Sequence, residues 1–272
     1  MTNIREELAN AADHLGQTGS TTPRLDAELL LGRVLGLDRA GLVMRSSDEL
    51  SGDDRTRYLA LLSRRCKHEP VAYILGKQAF RNLDLAVDPR VLIPRAETEF
   101  LVEAALNLPA GSRVIDVGTG SGAVALALKQ ERPDLIVTAT DVSAGALSLA
   151  RLNASRLRLD VNFLQCDLLP DSGVEFDAVV ANLPYVEDEA QLPADVADYE
   201  PRQALFGGPD GLDLVRRLCS AAGARTGISM IALEIGAGQA RMAAACVAAA
   251  GFESAAPIQD LAGIERIVLG RR

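Results

Sequence analysis

Beyond Gly111 the chain settles into an alternation that few folds accept: short apolar runs, each followed by a stretch with helical spacing. Arg113 to Val117 is one such run, closed by Gly118. Leu135 to Ala139, Val161 to Leu164, Phe176 to Ala181 and Ser229 to Glu234 are others. An alanine- and leucine-rich helix over Ala123 to Lys129 and a second over Ala144 to Leu157 lie between them. A third starts near Gly211, and Arg266 to Leu269 closes the chain as a last strand. Short strands this rich in apolar residues call for cover on both faces, and the intervening helices supply it. The pattern predicts an α/β fold around a largely parallel sheet.

The chain before this region reads differently. Ile4, Leu8, Ala11, Ala12 and Leu15 recur at helical spacing, as do Leu25, Leu29, Leu30, Val34 and Leu35, with Gly36 placed to end the second helix. A third helix opens at Ser51, a side chain suited to capping, and carries Tyr58, Leu61 and Leu62 on one face. From Pro70 to Pro94 the spacing shortens. Phe80, Leu83, Leu85 and Val87, then Val91 to Ile93, predict two short strands turning at Asp88-Pro89. Glu97 to Leu108 returns to helical spacing. The expected organisation is a small helical domain over 1–70, a β-hairpin connector over 71–94 and an α/β domain over 95–272.

The 272 residues carry a net charge of −9. That disfavours a chain whose main task is tracking a phosphate backbone, because such binding rests on Lys and Arg neutralising phosphates. The basic run Arg55, Arg57, Arg64, Arg65 and Lys67 reads as the solvated face of a helix. The four cysteines, Cys66, Cys166, Cys219 and Cys246, form no CxxC, and only His14 and His68 stand beside them. No metal-ligand spacing exists, so buried free thiols and no bound metal are expected. Arg5, Glu6 and Glu7 precede no long apolar run, and Met242 to Phe252 is too short to span a bilayer. These features predict a cytoplasmic protein with no membrane partner.

The first strand of the α/β region runs into Asp116-Val117-Gly118-Thr119-Gly120-Ser121-Gly122. In a doubly wound sheet a ligand sits at the carboxyl end of the first strand, where glycines let the backbone turn sharply and approach it. Asp141, at the end of the second strand, is placed to accept hydrogen bonds from ribose hydroxyls; its competing task is to cap the next helix, for which Ser143 also qualifies. After the third strand, Asp167 could accept from the exocyclic amine of adenine, with Leu168 against the ring. These marks fit an adenosine-containing cofactor and do not choose between a nicotinamide and S-adenosylmethionine.

Asn182-Leu183-Pro184-Tyr185, after the fourth strand, makes the choice. An amide or adenine amino nitrogen is planar, with a delocalised lone pair, and is a poor nucleophile. The Asn182 side-chain oxygen and a backbone carbonyl of the proline turn can hold its N–H groups and aim the lone pair at a sulfonium methyl. Pro184 fixes the backbone, and Tyr185 can pack against the planar group. A nicotinamide oxidoreductase explains the glycines and Asp141 but leaves this tetrapeptide without a task.

The chain resembles the HemK/PrmC protein-(glutamine-N5) methyltransferases. The likeness runs through Glu69-Pro70-Val71-Ala72-Tyr73-Ile74-Leu75-Gly76, Leu92-Ile93-Pro94-Arg95-Ala96-Glu97-Thr98-Glu99, Asp116 to Gly122, Asp141, Asn182 to Tyr185, Tyr199-Glu200-Pro201 and Glu265-Arg266-Ile267-Val268-Leu269-Gly270. The resemblance implies a Rossmann-like class I methyltransferase sheet of seven strands, the last antiparallel, and a helical N-terminal domain that docks the substrate. It implies methylation of the glutamine in the Gly-Gly-Gln segment of class I peptide-chain release factors by a monomer, with S-adenosylmethionine as donor and S-adenosylhomocysteine as product. Gly118, Thr119, Gly120, Ser121, Gly122, Asp141, Asp167, Leu168 and Asn182 would contact the cofactor. Asn182, Leu183, Pro184 and Tyr185 would grip the glutamine amide, with Asn182, Pro184 and Tyr185 catalytic. Pro94 to Thr98 would line the site, with Arg95 and Glu97 equally suited to salt bridges. Two departures stand out. Leu183 replaces the first proline of the family's Asn-Pro-Pro-Tyr, a form that also resembles ribosomal RNA adenine-N6 dimethyltransferases. Leu168 stands where the family often has an aromatic residue. A nucleic-acid adenine-N6 methyltransferase is therefore the alternative, opposed by the net acidity.

Overall fold

A computed structural model describes residues 2–171 and 173–272, which divide into two compact units. The first comprises the chain up to Gly76 together with Leu192–Tyr199. Its helices are α1 (Ile4–Gln17), α2 (Pro23–Leu35), α3 (Arg39–Met44), α4 (Gly52–Arg65) and α5 (Val71–Leu75). Local chemistry sets their ends. Asn3 caps α1 by accepting from the Glu6 amide, and Ser51 caps α4 by accepting from Asp54. Pro23 opens α2, and Gly36 closes it in the left-handed region at φ +67°. Ile4, Leu8, Leu15, Leu30, Leu31 and Tyr58 form the core. The basic run on α4 is largely neutralised by ion pairs: Arg55 with Glu7, Arg57 with Asp54, Arg64 with Glu69 and Arg65 with buried Asp26.

The second unit opens with an antiparallel hairpin, β1 (Lys77–Phe80) and β2 (Leu83–Ala86). The sequence places the turn one strand too late. It lies at Arg81-Asn82, and Val91 to Ile93 forms none of the described strands. Arg81 takes φ +49°, held by its amide donating to Glu99 (3.0 Å) and its guanidinium pairing with Glu131 (2.9 Å). Val91 and Ile93 are buried, and the Ile93 amide donates to the Glu200 carboxylate at 3.1 Å.

A 3-10 turn (Ala96–Thr98) leads into α6 (Glu99–Ala105), shorter than the helical spacing suggests. There follow β3 (Arg113–Val117), α7 (Ala123–Glu131), β4 (Ile136–Asp141), α8 (Ala144–Leu157), β5 (Asn162–Gln165) and β6 (Ala178–Asn182). The chain then contributes α9 (Ala194–Ala197) to the first unit, where the Tyr199 hydroxyl donates to the Lys67 carbonyl at 2.7 Å. It returns for α10 (Asp213–Gly223), β7 (Met230–Glu234), α11 (Ala240–Ala249), β8 (Glu253–Ser254), β9 (Ile258–Gln259) and β10 (Glu265–Arg271).

The sheet runs β5-β4-β3-β6-β7-β10-β8, with β9 also on β10. It is parallel from β5 to β7, while β10 is antiparallel to all its partners. Eight strands result instead of seven because two short pieces, β8 and β9, share the edge beside β10. Successive residues of the strands serve opposite faces. Val114, Val137, Val180 and Ala232 pack with α6 and α7, whereas Ile115, Val117, Val179 and Ala181 pack with α10 and α11. Cys219 is buried in the second of these cores and its thiol pKa is pushed up to about 12. The other three cysteines are half-buried, contrary to the expectation that all would be interior, and all four are free. From β3 the chain winds outward through β4 to β5 and then returns to the other side of β3 for β6 and β7. That reversal opens a crevice at the carboxyl ends of β3 and β6.

Candidate active site

A cavity of about 500 Å³ occupies this crevice. Gly118, Thr119, Gly120 and Ser121 form its floor, and Asp141, Asp167 and Leu168 line it beyond the ends of β4 and β5. Asn182, Leu183 and Pro184 line it from the end of β6. Five sequence candidates lie off its wall: Arg95, Ala96 and Glu97 of the Pro94–Thr98 segment, of which Pro94 and Thr98 alone reach it, and Gly122 and Tyr185. Gly122, at φ +86°, faces the helix packing, where an added Cβ would come within 3.0 Å of Leu126. Tyr185 turns away from the cavity toward a cluster of charged groups described below.

The loop is held by backbone and carboxylates. The amides of Gly118 and Thr119 both donate to the Thr140 carbonyl at 2.9 Å. Asp141 accepts from the Gly120 amide (2.9 Å) and the Ser143 amide (2.8 Å), while Ser143 itself caps α8. Asp141 is therefore not the helix cap. Its two oxygens have room for about four hydrogen bonds and each takes one here. Asp116, 2% exposed, accepts from the Thr119 hydroxyl (2.6 Å) and the Ala125 amide, tying the loop to α7. Burial, with Asp141 nearby, pushes its pKa up to about 7. Asn153, buried in α8, accepts from the Ala86 amide and donates to the Ala86 and Ser121 carbonyls, joining the hairpin to the loop. Asp167 pairs with Arg217 at 2.6 Å, and Leu168 adopts φ +63° with its carbonyl accepting from Thr140.

The turn after β6 is gripped from behind. The Val186 amide donates to Leu205, and the Gly207 amide to Val186. The Gln239 side chain donates to the Tyr185 carbonyl at 2.9 Å. The fit is so close that a Cβ on Gly207 would overlap the Pro184 carbonyl, and one on Gly211 the Tyr185 carbonyl. The Asn182 Nδ2 group donates to the Thr98 hydroxyl at 3.1 Å. Glu234, beside Asn182 in the register of β6 and β7, is buried. Its carboxyl pKa is pushed up to about 7 by desolvation, opposed by a hydrogen bond from Thr98. Arg95 is ion-paired with buried Glu200, and Arg266 lies 4.0 Å from Glu97, so both candidate salt bridges of the Pro94–Thr98 segment are formed. Burial, then Glu234, raises the Tyr185 phenol to about 12.

Sequence reasoning did not single out Glu234, Gln239 or the 203–208 segment, which supplies Gln203, Phe206 and Gly207 to the cavity. The nearest signal was the family-like Tyr199-Glu200-Pro201 just before that segment.

A family model of the PrmC N-terminal domain matches residues 6–76, and one of the methyltransferase small domain matches 96–198. A release factor glutamine methyltransferase of Coxiella burnetii is 41% identical, covering 100% of both chains. One of Geobacter sulfurreducens is 39% identical over 98% of this chain and 96% of its own. The chain belongs to the release factor glutamine methyltransferase family. Its sheet also matches the crystal structure of a methyltransferase from Pyrococcus furiosus, with a TM-score of 0.55 and 17% identity over 81% of this chain and 98% of that one. As a member of that family it is a methyltransferase. Among its described residues no helix is long and apolar enough to cross a membrane.

Proposed function

We propose that this chain transfers a methyl group from S-adenosylmethionine to the side-chain amide nitrogen (N5) of the glutamine in the Gly-Gly-Gln segment of class I peptide-chain release factors. The supporting observation is that the glycine loop and Asn182 line one cavity, so a donor on the loop and an amide on the turn would face each other. The relatives named above point to the same substrate.

The cavity fits the cofactor. It is large enough for a nucleoside with a short tail, its floor lacks side chains at Gly118 and Gly120, and Asp141 keeps acceptor capacity toward it. Gly118 to Ser121, Asp141 and Leu168 would hold the cofactor, with Asp167 at the rim sharing its carboxylate with Arg217. Bound there, S-adenosylmethionine supplies a methyl carbon made electrophilic by its sulfonium.

The chain's own groups prepare the nucleophile. Asn182 Nδ2 is spent on Thr98, which directs Oδ1 to accept one N–H of the glutamine amide. Gln239 occupies the Tyr185 carbonyl, so the second N–H goes to the carbonyl of Leu183 or Pro184. Two acceptors in fixed positions push electron density onto the nitrogen and hold its lone pair in line. Such positioning supplies about 7–11 kcal/mol in the best cases, and preorganised polar groups add on the order of 3 kcal/mol each. The extra proton of the methylated amide leaves afterwards to water, so no strong base is required. Tyr185, half-buried behind the turn, supports it from the side away from the cavity.

The helical first unit would dock the release factor, and the protein would act in the cytoplasm as a monomer. Mass spectrometry of a release factor incubated with enzyme and S-adenosylmethionine tests the reading. One methyl on the Gly-Gly-Gln glutamine is expected; methylation of ribosomal RNA adenine with none on the release factor would establish the alternative.

A further inference from the structure

Glu234 ends β7 directly beside Asn182 at the end of β6. It is 2% exposed, and its Oε2 has no hydrogen-bond partner among the described residues. A buried carboxylate short of partners is costly, so its retention calls for a task. The nearby cations are committed elsewhere. Arg95 pairs with Glu200, and Arg266 pairs with Asp260 at 2.8 Å, with Glu97 also at its edge. The neighbour that favours its charged form is the Thr98 hydroxyl, itself buried. That hydroxyl also faces the Asn182 amide, with Nδ2 at 3.1 Å.

A hydroxyl has one proton to give. If Thr98 gives it to the Glu234 carboxylate, its oxygen can only accept from Asn182, and Asn182 must turn Nδ2 toward it. Oδ1 then faces away, into the cavity that Asn182 lines. We infer that Glu234, acting through the Thr98 hydroxyl, is the positioning residue that fixes which end of the Asn182 amide meets the substrate nitrogen. This rests on the reading that Asn182 Oδ1 accepts from the glutamine NH2.

The relay has a direction. Ionised Glu234 accepts, Thr98 passes the polarity on, and Asn182 presents oxygen. Protonated Glu234 becomes a donor to Thr98, which can then aim its own hydrogen at Oδ1. The amide reverses and sets NH2 against the NH2 of the substrate, two donors face to face. The charged and titratable groups around Glu234 are Glu97 and Arg95 from the segment before α6, Tyr185 after β6, and Arg266 from β10. Desolvation dominates and raises the carboxyl to about 7; Thr98 opposes the rise, Glu97 adds to it, and Arg266 and Arg95 counter it. Activity is therefore lost as pH falls through about 7, where Glu234 gains its proton.

The test compares turnover of a release factor and calorimetric affinity for S-adenosylhomocysteine in Thr98→Val, Thr98→Ser, Glu234→Gln and Asn182→Ala across pH 5.5 to 9. Thr98→Val keeps the shape and removes the proton, so kcat should fall on the order of 30- to 100-fold, as for a misaligned reacting group, with cofactor affinity within about threefold. Thr98→Ser should restore most of the rate. Glu234→Gln can still accept from Thr98 but does not titrate, so the acid limb of kcat/KM should flatten. A near wild-type kcat in Thr98→Val, or an unchanged acid limb in Glu234→Gln, overturns the inference. Should Thr98→Val not fold, the Glu234→Gln profile decides. Asn182→Ala separates the two levels: a surviving rate there removes the underlying reading along with the inference, whereas an inactive Asn182→Ala beside a fully active Thr98→Val removes the inference alone.

Discussion

Replacing Asp141 with Asn changes one atom of the side chain and should cost most of the cofactor affinity. The carboxylate accepts from the Gly120 amide through Oδ2 at 2.9 Å and from the Ser143 amide through Oδ1 at 2.8 Å. Asparagine keeps one acceptor and sets an NH2 against the other backbone N–H. One hydrogen bond to a charged acceptor, about 1.5–3 kcal/mol, is lost. The side chain is half-buried, so the lower end of that range applies. The ribose hydroxyls lose the same charged acceptor, for about another 1.5 kcal/mol. The sum, about 3 kcal/mol, corresponds to roughly a 100-fold rise in the dissociation constant. Calorimetric titration with S-adenosylhomocysteine measures it, and a thermal melt of the unliganded variant reports the loop's share. The melt should move by only a few degrees, about 2–4 °C per kcal/mol for a domain of this size. An affinity within about threefold of wild type would refute the reasoning, because Asp141 would then tie the loop without facing a ligand.

Glu234→Gln carries a stability signature besides its kinetic one. Burial raises the folded-state pKa from 4.5 to about 7, so the folded protein holds a proton that the unfolded chain releases. The stability from this group is full below about 4.5 and is lost as pH rises through about 7. In urea titrations the variant should exceed wild type by up to about 3 kcal/mol at pH 8, with the gap closing toward pH 5; a constant gap would contradict this. Asn153→Ala removes hydrogen bonds of 2.8, 3.0 and 2.9 Å to Ala86 and Ser121 at a buried site. It should cost about 3 kcal/mol in urea unfolding, and a loss under about 1 kcal/mol would show that water replaces the side chain. Gly211→Ala places a Cβ on the Tyr185 carbonyl at a φ of +73°. Displacing the turn should lower turnover at least about tenfold while cofactor affinity holds, and an unchanged rate would mean the turn is not set from behind.

What the sequence revealed of this molecule follows from range. Largely apolar runs such as Val114–Val117, broken only by Asp116, and Ala178–Ala181 announce buried parallel strands because burial on both faces removes the alternation. The glycine loop and the Asn182 turn were legible because each is continuous in sequence and each sits at a strand end. The hairpin turn was not, because no glycine marks Arg81-Asn82. Its left-handed residue is held by Glu99 and Glu131, which lie well downstream. Val91 to Ile93 looked like a strand for a related reason: its burial is real, but a carboxylate 107 positions away takes the backbone amide that a neighbouring strand would otherwise have taken. Glu234 and Thr98 meet Asn182 only through the strand order, which sets β7 beside β6 and brings the start of α6 over their ends. Spacing along the chain does not carry that information.

The central claim is that Asn182 holds the nitrogen that is methylated while the glycine loop holds the donor. Single-turnover rates of Asn182→Ala on a release factor, with the S-adenosylhomocysteine dissociation constant measured on the same preparation, test it most directly. The expected result is a rate lower by about 10²–10³, as for loss of one preorganised polar group, with affinity changed only several-fold. A rate near wild type, or a loss of rate matched entirely by a loss of cofactor binding, would contradict it.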